Sequence, residues 1–539
     1  MDIFVRRNKL LLLSLATGVL LAASWPARGF PFLAFFALIP LLVAEDHLLQ
    51  HRSHYRSIMI FIYAWAAFLV FNLLTTWWIA FATVPGMIAA VLLNSGFMAV
   101  PWWLMHLSRR ILPGRQSPFS IVLLWLAFEH LHAQWELSWS WLDLGNVFAT
   151  APVWVQWYSF TGTAGGSLWV LVINLLLFFA LSHYLTVQKL NKRVLSSILL
   201  ALAAFTIPSV ISFGMWRSYE ETNAPVNIVI VQPSEDPYKT VMTRDELRRR
   251  MDVMLALADS HITDDTRFVA APEDALPEGV WMHDAESHYS IQRIREHLSQ
   301  HPEIAWFVGG LTYRLITAGE TLPPEARPLN HSSDFYVVYN SVLFIEEGQP
   351  VQYYHKSKLV PGIERMPYFR YLKPLNMLVE RLGGISGSLG TQEARRVFDT
   401  QTGIAAGAAV CYESIYGEYM TEYIRRGADI LIIVTNDGWW RNTPGHRQHL
   451  QYARLRAVET RRSIARAAST GVSAFINQRG EITAKTSWWE ATALNASINK
   501  NNRITFYALS GNFTGKLSVF LSALLVLYML SQRMISRKR

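Results

Sequence analysis

The sequence predicts two structural classes in one chain, a polytopic α-helical membrane domain of about eight helices and a water-soluble layered α/β domain inserted before the last helix. Three observations predict this. The 539 residues are 51% hydrophobic and 13% aromatic, a bias towards membrane proteins. The apolar residues gather into runs long enough to cross a bilayer, outside a polar section at about 220–510. Within that section short Val-, Ile- and Ala-rich runs alternate with charged, helix-periodic stretches.

The apolar runs lie at about 8–24, 30–45, 57–80, 82–105, 118–134, 167–184, 194–214 and 515–532. The first follows "MDIFVRRNK" and ends in small residues like a signal peptide, but a second run follows almost at once, which predicts a retained anchor. The expected division is 1–215 for seven membrane helices, 220–510 for the soluble domain and 511–539 for the last helix with its tail.

Basic residues set the orientation, because Lys and Arg stay on the cytoplasmic side. They cluster at Arg6, Arg7 and Lys9, at Arg52 and Arg56, at Arg109, Arg110 and Arg115, at Lys189, Lys192 and Arg193, and in the C-terminal "SQRMISRKR". All of these loops fall on one side. The longest alternate loop, about 135–166, contains no Lys or Arg. The net charge of +9 is thus membrane orientation and not a nucleic-acid footprint. The expectation is a bacterial inner-membrane protein with both termini cytoplasmic and the soluble domain periplasmic. Tryptophans 135, 139, 141, 154 and 157 in the outer loop read as an interfacial belt.

In the soluble section the candidate strands are "VNIVIVQP" (226–233), "TRFVAAPE" (266–273), "IAWFVGGLTY" (304–313), a hairpin over 333–356, "GIAAGAAVCYE" (403–413), "ADILIIVTND" (428–437) and a hairpin over 463–482. "RDELRRRMDVMLALADS" has helical periodicity. Three strand ends carry titratable groups, Glu273, Lys356 and Cys411. Cys411 is the only cysteine, which excludes an intrachain disulfide and metal sites built on several thiolates. A neutral thiol is a weak nucleophile. It needs a base to take its proton and a cation or N–H groups for the oxyanion, and a Glu, Lys and Cys set meets both needs.

These residues, in "APEDALP", "YHKSKLVPGIERMP" and "CYESIYGE", resemble the nitrilase superfamily, whose αββα sandwich is then the expected form of the soluble domain. Within it, eight membrane segments around one such domain resemble the apolipoprotein N-acyltransferase family. "VQWYSFTGTAGGSLWVLVINLLL" and "TNDGWWRNTPGHRQHLQYARLRAVETRRSIARAASTGVSAFI" are similar to its membrane motif and its downstream block. The chain departs from the pattern at Ala271, where an aromatic residue is usual, and at "GIER", residues 362–365, where Phe-Gly-Glu-Tyr is usual.

The resemblance implies a two-step acyl transfer. Cys411 takes an acyl chain from a membrane phospholipid, phosphatidylethanolamine, as a thioester, and passes it to the N-terminal amine of the diacylglyceryl-cysteine of an apolipoprotein. It further implies Glu273 as the base, Lys356 and the backbone N–H of Tyr412 as oxyanion donors, and Glu364 and Glu413 as the groups that position and neutralise Lys356. No metal, nucleotide or other cofactor is implied. The segment 359–390 combines apolar side chains, Phe369 and Met377 among them, with a glycine-rich end, which suits an arm dipping into the outer leaflet. With Trp439 these make the expected lipid contacts. Two other classes share some features. An anchored amidase or nitrilase would use the same triad but needs one helix, not eight. A polytopic transporter would place more ionisable residues in its spans than Glu129 and His130.

Overall fold

The computed structural model describes residues 2–27, 29–112, 118–238, 243–317, 319–368 and 388–538. Phe369, Met377 and Arg115 lie outside them. The chain forms two compact units, one of Met1–Ala80, Val84–Ser218 and Ser510–Arg539, the other of Phe81–Thr83 and Tyr219–Leu509.

In the first unit, seven helical segments among the described residues are long and apolar enough to cross a bilayer, from Arg7–Ser24 to Phe513–Ile535. The expected span at 118–134 is instead a helix of 13 residues, Ser120–His132. At 1.5 Å per residue it measures about 20 Å, short of the ~30 Å hydrocarbon core. Its end is fixed by Glu129, whose carboxylate accepts from the Trp125 indole and from Leu144 N–H, both at 2.8 Å, and so draws the following segment back onto the helix. That segment is not an interfacial belt throughout. It runs in 3₁₀ turns, Ser140–Leu142, Leu144–Thr150 and Pro152–Trp154, and fully buries Trp141 and Phe148.

The second span is interrupted before Ile39–Gln50. There Asn174 accepts from Leu38 N–H at 2.9 Å and donates to Ala34 O at 2.8 Å, satisfying backbone groups that hydrocarbon would leave bare. Glu45, fully buried, pairs with His106 and Arg109. These spans therefore hold more ionisable groups than the sequence reading counted, and Glu45 and Glu129 are engaged as structural ties.

The second unit is an αββα sandwich. Its strands are β1 (Pro225–Gln232), β2 (Thr266–Ala270), β3 (Val280–Trp281), β4 (Ala305–Ile316), β5 (Arg327–Pro328), β6 (Phe335–Glu346), β7 (Gln352–His355), β8 (Val397–Asp399), β9 (Ala405–Val410), β10 (Ile430–Thr435), β11 (Ile464–Ala468), β12 (Ala474–Ile476), β13 (Ile482–Lys485) and β14 (Thr492–Asn499). One sheet runs β14-β1-β2-β4-β6-β5, with β3 on β4 and β7 on β6, and the other runs β13-β12-β11-β10-β9-β8. The sheets meet face to face, β1 on β11 and β4 on β10. The central strands β9, β10 and β11 are parallel. Their sequences "AAGAAV", "ILIIVT" and "IARAA" are almost wholly buried, as a strand covered on both faces must be.

Helices Arg244–Asp259 and Tyr289–Gln300 cover the first sheet. Met251, Met254, Ile291, Ile294 and Leu298 pack on Val229, Val269, Trp306 and Val308 from one helical face each. Thr243 caps the first helix by accepting from Glu246 N–H. Helices Gly417–Arg425 and Pro444–Thr460 cover the second sheet.

Candidate active site

Four chain segments bring the titratable residues together at the ends of the strands. Glu273 follows β2. There the backbone continues pairing with β4, Ala271 N–H to Phe307 O at 2.8 Å and Gly309 N–H to Pro272 O at 3.0 Å. Gly309 is required for this approach, since a Cβ there would stand 2.4 Å from the Cα and carbonyl oxygen of Glu273. Ala271, where the family pattern has an aromatic residue, is fully buried in the core beneath the helices.

Lys356 leaves β7 with its N–H on Asn340 O at 2.8 Å, and its side chain is buried. Its ammonium donates to Glu273 Oε1 at 3.0 Å and Glu364 Oε1 at 2.9 Å. Asn340 Nδ2 donates to the same two oxygens at 2.8 Å each. Burial alone would lower the Lys356 pKa, but the carboxylates of Glu273 and Glu364 outweigh it and hold the ammonium well above its ordinary value. Lys356 is thus a fixed cation.

The "GIER" turn keeps Glu364 in reach of Lys356. Gly362 takes φ +81°, Glu364 N–H donates to Val360 O at 2.9 Å, and Glu364 Oε2 accepts from Val360 N–H at 2.8 Å. The second oxygen of Glu273 accepts from Asn436 N–H at 3.0 Å. Beside it Asp274 is half-buried and accepts from Asn436 Nδ2 at 2.6 Å, and its carboxyl is pushed up to about 7 by desolvation and then by Glu273.

Cys411 stands where β9 gives way to a 3₁₀ turn, Cys411–Ile415, and adopts φ +47°, a left-handed conformation rare for a residue with a side chain. Burial, then the charge of Glu273, push its thiol well above the ordinary value, with Asp437 adding to the rise and Lys356 and the Thr435 hydroxyl opposing it. Such a thiol is protonated at neutral pH and needs a base.

Glu413 differs from expectation. Among the described residues its carboxylate accepts from the Tyr354 and Tyr419 hydroxyls, from Ser357 N–H at 2.7 Å and from Val410 N–H at 2.8 Å, and none of these donors is the Lys356 ammonium. It acts on Lys356 through the backbone, tying the turn after Lys356 to the strand end before Cys411. The Tyr412 hydroxyl accepts from Tyr416 at 2.8 Å, and Trp439, 43% exposed, packs edge-on against Tyr238. Asn340, Asn436, Asp437, His449 and Arg466 were not singled out from the sequence. The last four lie in the "TNDGWW…ARAAS" block, which the resemblance flagged without assigning roles.

The chain matches the family models for carbon-nitrogen hydrolases over residues 263–505 and for the apolipoprotein N-acyltransferase N-terminal domain over 17–176. It is 30% identical over 515 residues to the apolipoprotein N-acyltransferase of Chlorobaculum tepidum, covering 93% of this chain and 92% of that one. The chain belongs to the apolipoprotein N-acyltransferase family. The Geobacter metallireducens member is 26% identical over 95% of this chain and 93% of its own, and apolipoprotein N-acyltransferase 1 of Treponema denticola 23% over 98% and 97%. Membership makes the chain an acyltransferase carried by a nitrilase-like domain in a membrane protein, and the amidase and transporter readings fall away.

Proposed function

We propose that Cys411 carries the acyl group between a membrane phospholipid and an apolipoprotein. The observation that supports this best is the Lys356 ammonium, buried and bonded to both Glu273 and Glu364, with the solitary Cys411 within their electrostatic reach. In the first step the Cys411 sulfur attacks the ester carbonyl of phosphatidylethanolamine and Glu273 takes the thiol proton. Lys356 and Tyr412 N–H hold the oxyanion. When it collapses, the C–O bond breaks and Glu273 returns the proton to the lysophospholipid oxygen. In the second step the N-terminal amine of the diacylglyceryl-cysteine attacks the thioester, Glu273 takes a proton from the attacking nitrogen, and the thiol leaves with a proton. Acyl chains lie against Phe369, Met377 and Trp439. The soluble domain faces the periplasm from the bacterial inner membrane, as the distribution of Lys and Arg predicts.

Intact-mass analysis tests the intermediate. Protein incubated with phosphatidylethanolamine gains one acyl chain that hydroxylamine removes, and Cys411→Ser gains no hydroxylamine-labile chain. Turnover by the serine variant at a rate comparable to the parent would sink the assignment.

A further inference from the structure

The carbonyl of Cys411 meets side chains from the turn that follows it and from the helix Pro444–Thr460. Ser414 Oγ donates to it at 2.8 Å, and His449 Nε2 lies 3.1 Å from it. His449, on the helix Pro444–Thr460, is fully buried. Its Nδ1 is 2.9 Å from Asp437 Oδ1. Asp437, the second residue after β10 and also fully buried, accepts from Arg466 Nη2 at 2.6 Å and from the Thr435 hydroxyl at 2.9 Å. Arg466 projects from the middle of β11 and donates again to Val472 O at 2.8 Å. Strand β11, the turn after β10 and the helix Pro444–Thr460 thus converge, through Arg466, Asp437 and His449, on one backbone atom of the candidate nucleophile.

A buried ion cluster of this kind stabilises a fold only weakly against an apolar replacement. Its direction is what distinguishes it. The left-handed backbone at Cys411 is unfavourable by itself and persists only if its surroundings over-determine it. The carbonyl oxygen can only accept, so His449 Nε2 is placed to donate to it, while Nδ1 is held between Asp437 Oδ1 at 2.9 Å and Arg466 Nη2 at 3.0 Å.

We propose that His449, held by Asp437 and Arg466, is a positioning residue for Cys411. It pins the Cys411 carbonyl, so that the thiol and the N–H groups that follow stay aimed at the ester carbonyl. The proposal rests on the reading of Cys411 as nucleophile and adds a role for a residue that does not touch substrate.

Two substitutions test it in the full-length enzyme with phosphatidylethanolamine in mixed micelles. His449→Leu fills the site without a donor and leaves the Asp437–Arg466 pair intact, while His449→Gln restores an N–H donor towards the carbonyl. Misplacement of a reacting group by about 1 Å slows a reaction by about 100-fold. For His449→Leu, kcat for thioester formation should fall by about that factor with KM within about twofold of the parent, and His449→Gln should recover to within about fivefold. If His449→Leu does not fold, Asp437→Asn, which keeps the ring, carries the same expected loss in kcat. A leucine variant within about threefold of the parent, or a glutamine variant as slow as the leucine one, would overturn the positioning role. Absence of the thioester on the parent would instead overturn the reading of Cys411 itself.

Discussion

At the scale of single residues, the site separates two charges that would otherwise cancel its chemistry. Lys356 is cationic because two carboxylates face it, and Cys411 is neutral because burial and the charges of Glu273 and Asp437 oppose the thiolate. Asn340 donates to the same oxygens of Glu273 and Glu364 as Lys356 does, which fixes both carboxylates. The Cys411 pKa gives a prediction with a definite sign. With Glu273 as base, thioester formation does not wait for free thiolate. Glu273→Gln removes the base and should slow the step by about 10²- to 10⁴-fold at neutral pH. The variant then depends on solvent to ionise the thiol, and because the thiol pKa is raised, its rate should climb about tenfold per pH unit through the alkaline range. Single-turnover acylation followed from pH 7 to 10 checks this. A flat profile in the variant would mean that Glu273 is not the group that takes the proton.

At the scale of elements, each strand end is held by a partner distant in sequence, and this governs what the sequence could reveal. Gly309→Ala in β4 tests the tightest of these approaches. Its methyl group would overlap the backbone of Glu273, so the strand or the Glu273 turn must shift, an overpacking effect of about 1–3 kcal/mol. Thermal denaturation should show a lower Tm, and acylation should fall by more than tenfold because Glu273 moves off Lys356. Normal acylation would show that the turn adjusts freely.

The central strands were legible because continuous apolar runs such as "ILIIVT" have few other uses, and Glu273, Lys356 and Cys411 stand out in the sequence because each falls at the end of an expected strand or hairpin. β14, "TALNASIN", escaped notice. It pairs only with β1 at an edge and buries just Ala493 and Ile498, so it has neither a continuous run nor a clean alternation. The resemblance implies that Glu413 faces the Lys356 ammonium, but a motif does not fix where a carboxylate turns, and here it turns to backbone N–H groups. His449 was hidden for a related reason, since a histidine inside a helix of mixed polarity carries no periodic signal and its partners come from β10 and β11.

At the scale of the whole molecule, the chain must present a lipid-handling site to one side of a membrane, and the distribution of basic residues decides which. Lys189, Lys192 and Arg193 flank the turn between the helices Thr163–Val187 and Lys192–Ser218, where Leu190 is 77% exposed. Three such charges in one short turn predict that the turn stays in the cytoplasm, because each resists transfer across the hydrocarbon. One helix further along, at about 27 residues and 1.5 Å per residue, the chain has travelled about 40 Å, more than the bilayer core, before the soluble domain begins at Tyr219. The domain should therefore lie on the opposite, periplasmic side. In a Cys411→Ser background the chain has no other thiol, so single cysteines report cleanly. Leu190→Cys should be protected from a membrane-impermeant maleimide in intact cells and react once the cells are lysed. Gln300→Cys, exposed at the end of the helix Tyr289–Gln300, should react in intact cells with the outer membrane permeabilised. Labelling of Leu190→Cys from outside, with Gln300→Cys protected, would invert the topology and place Cys411 on the cytoplasmic side.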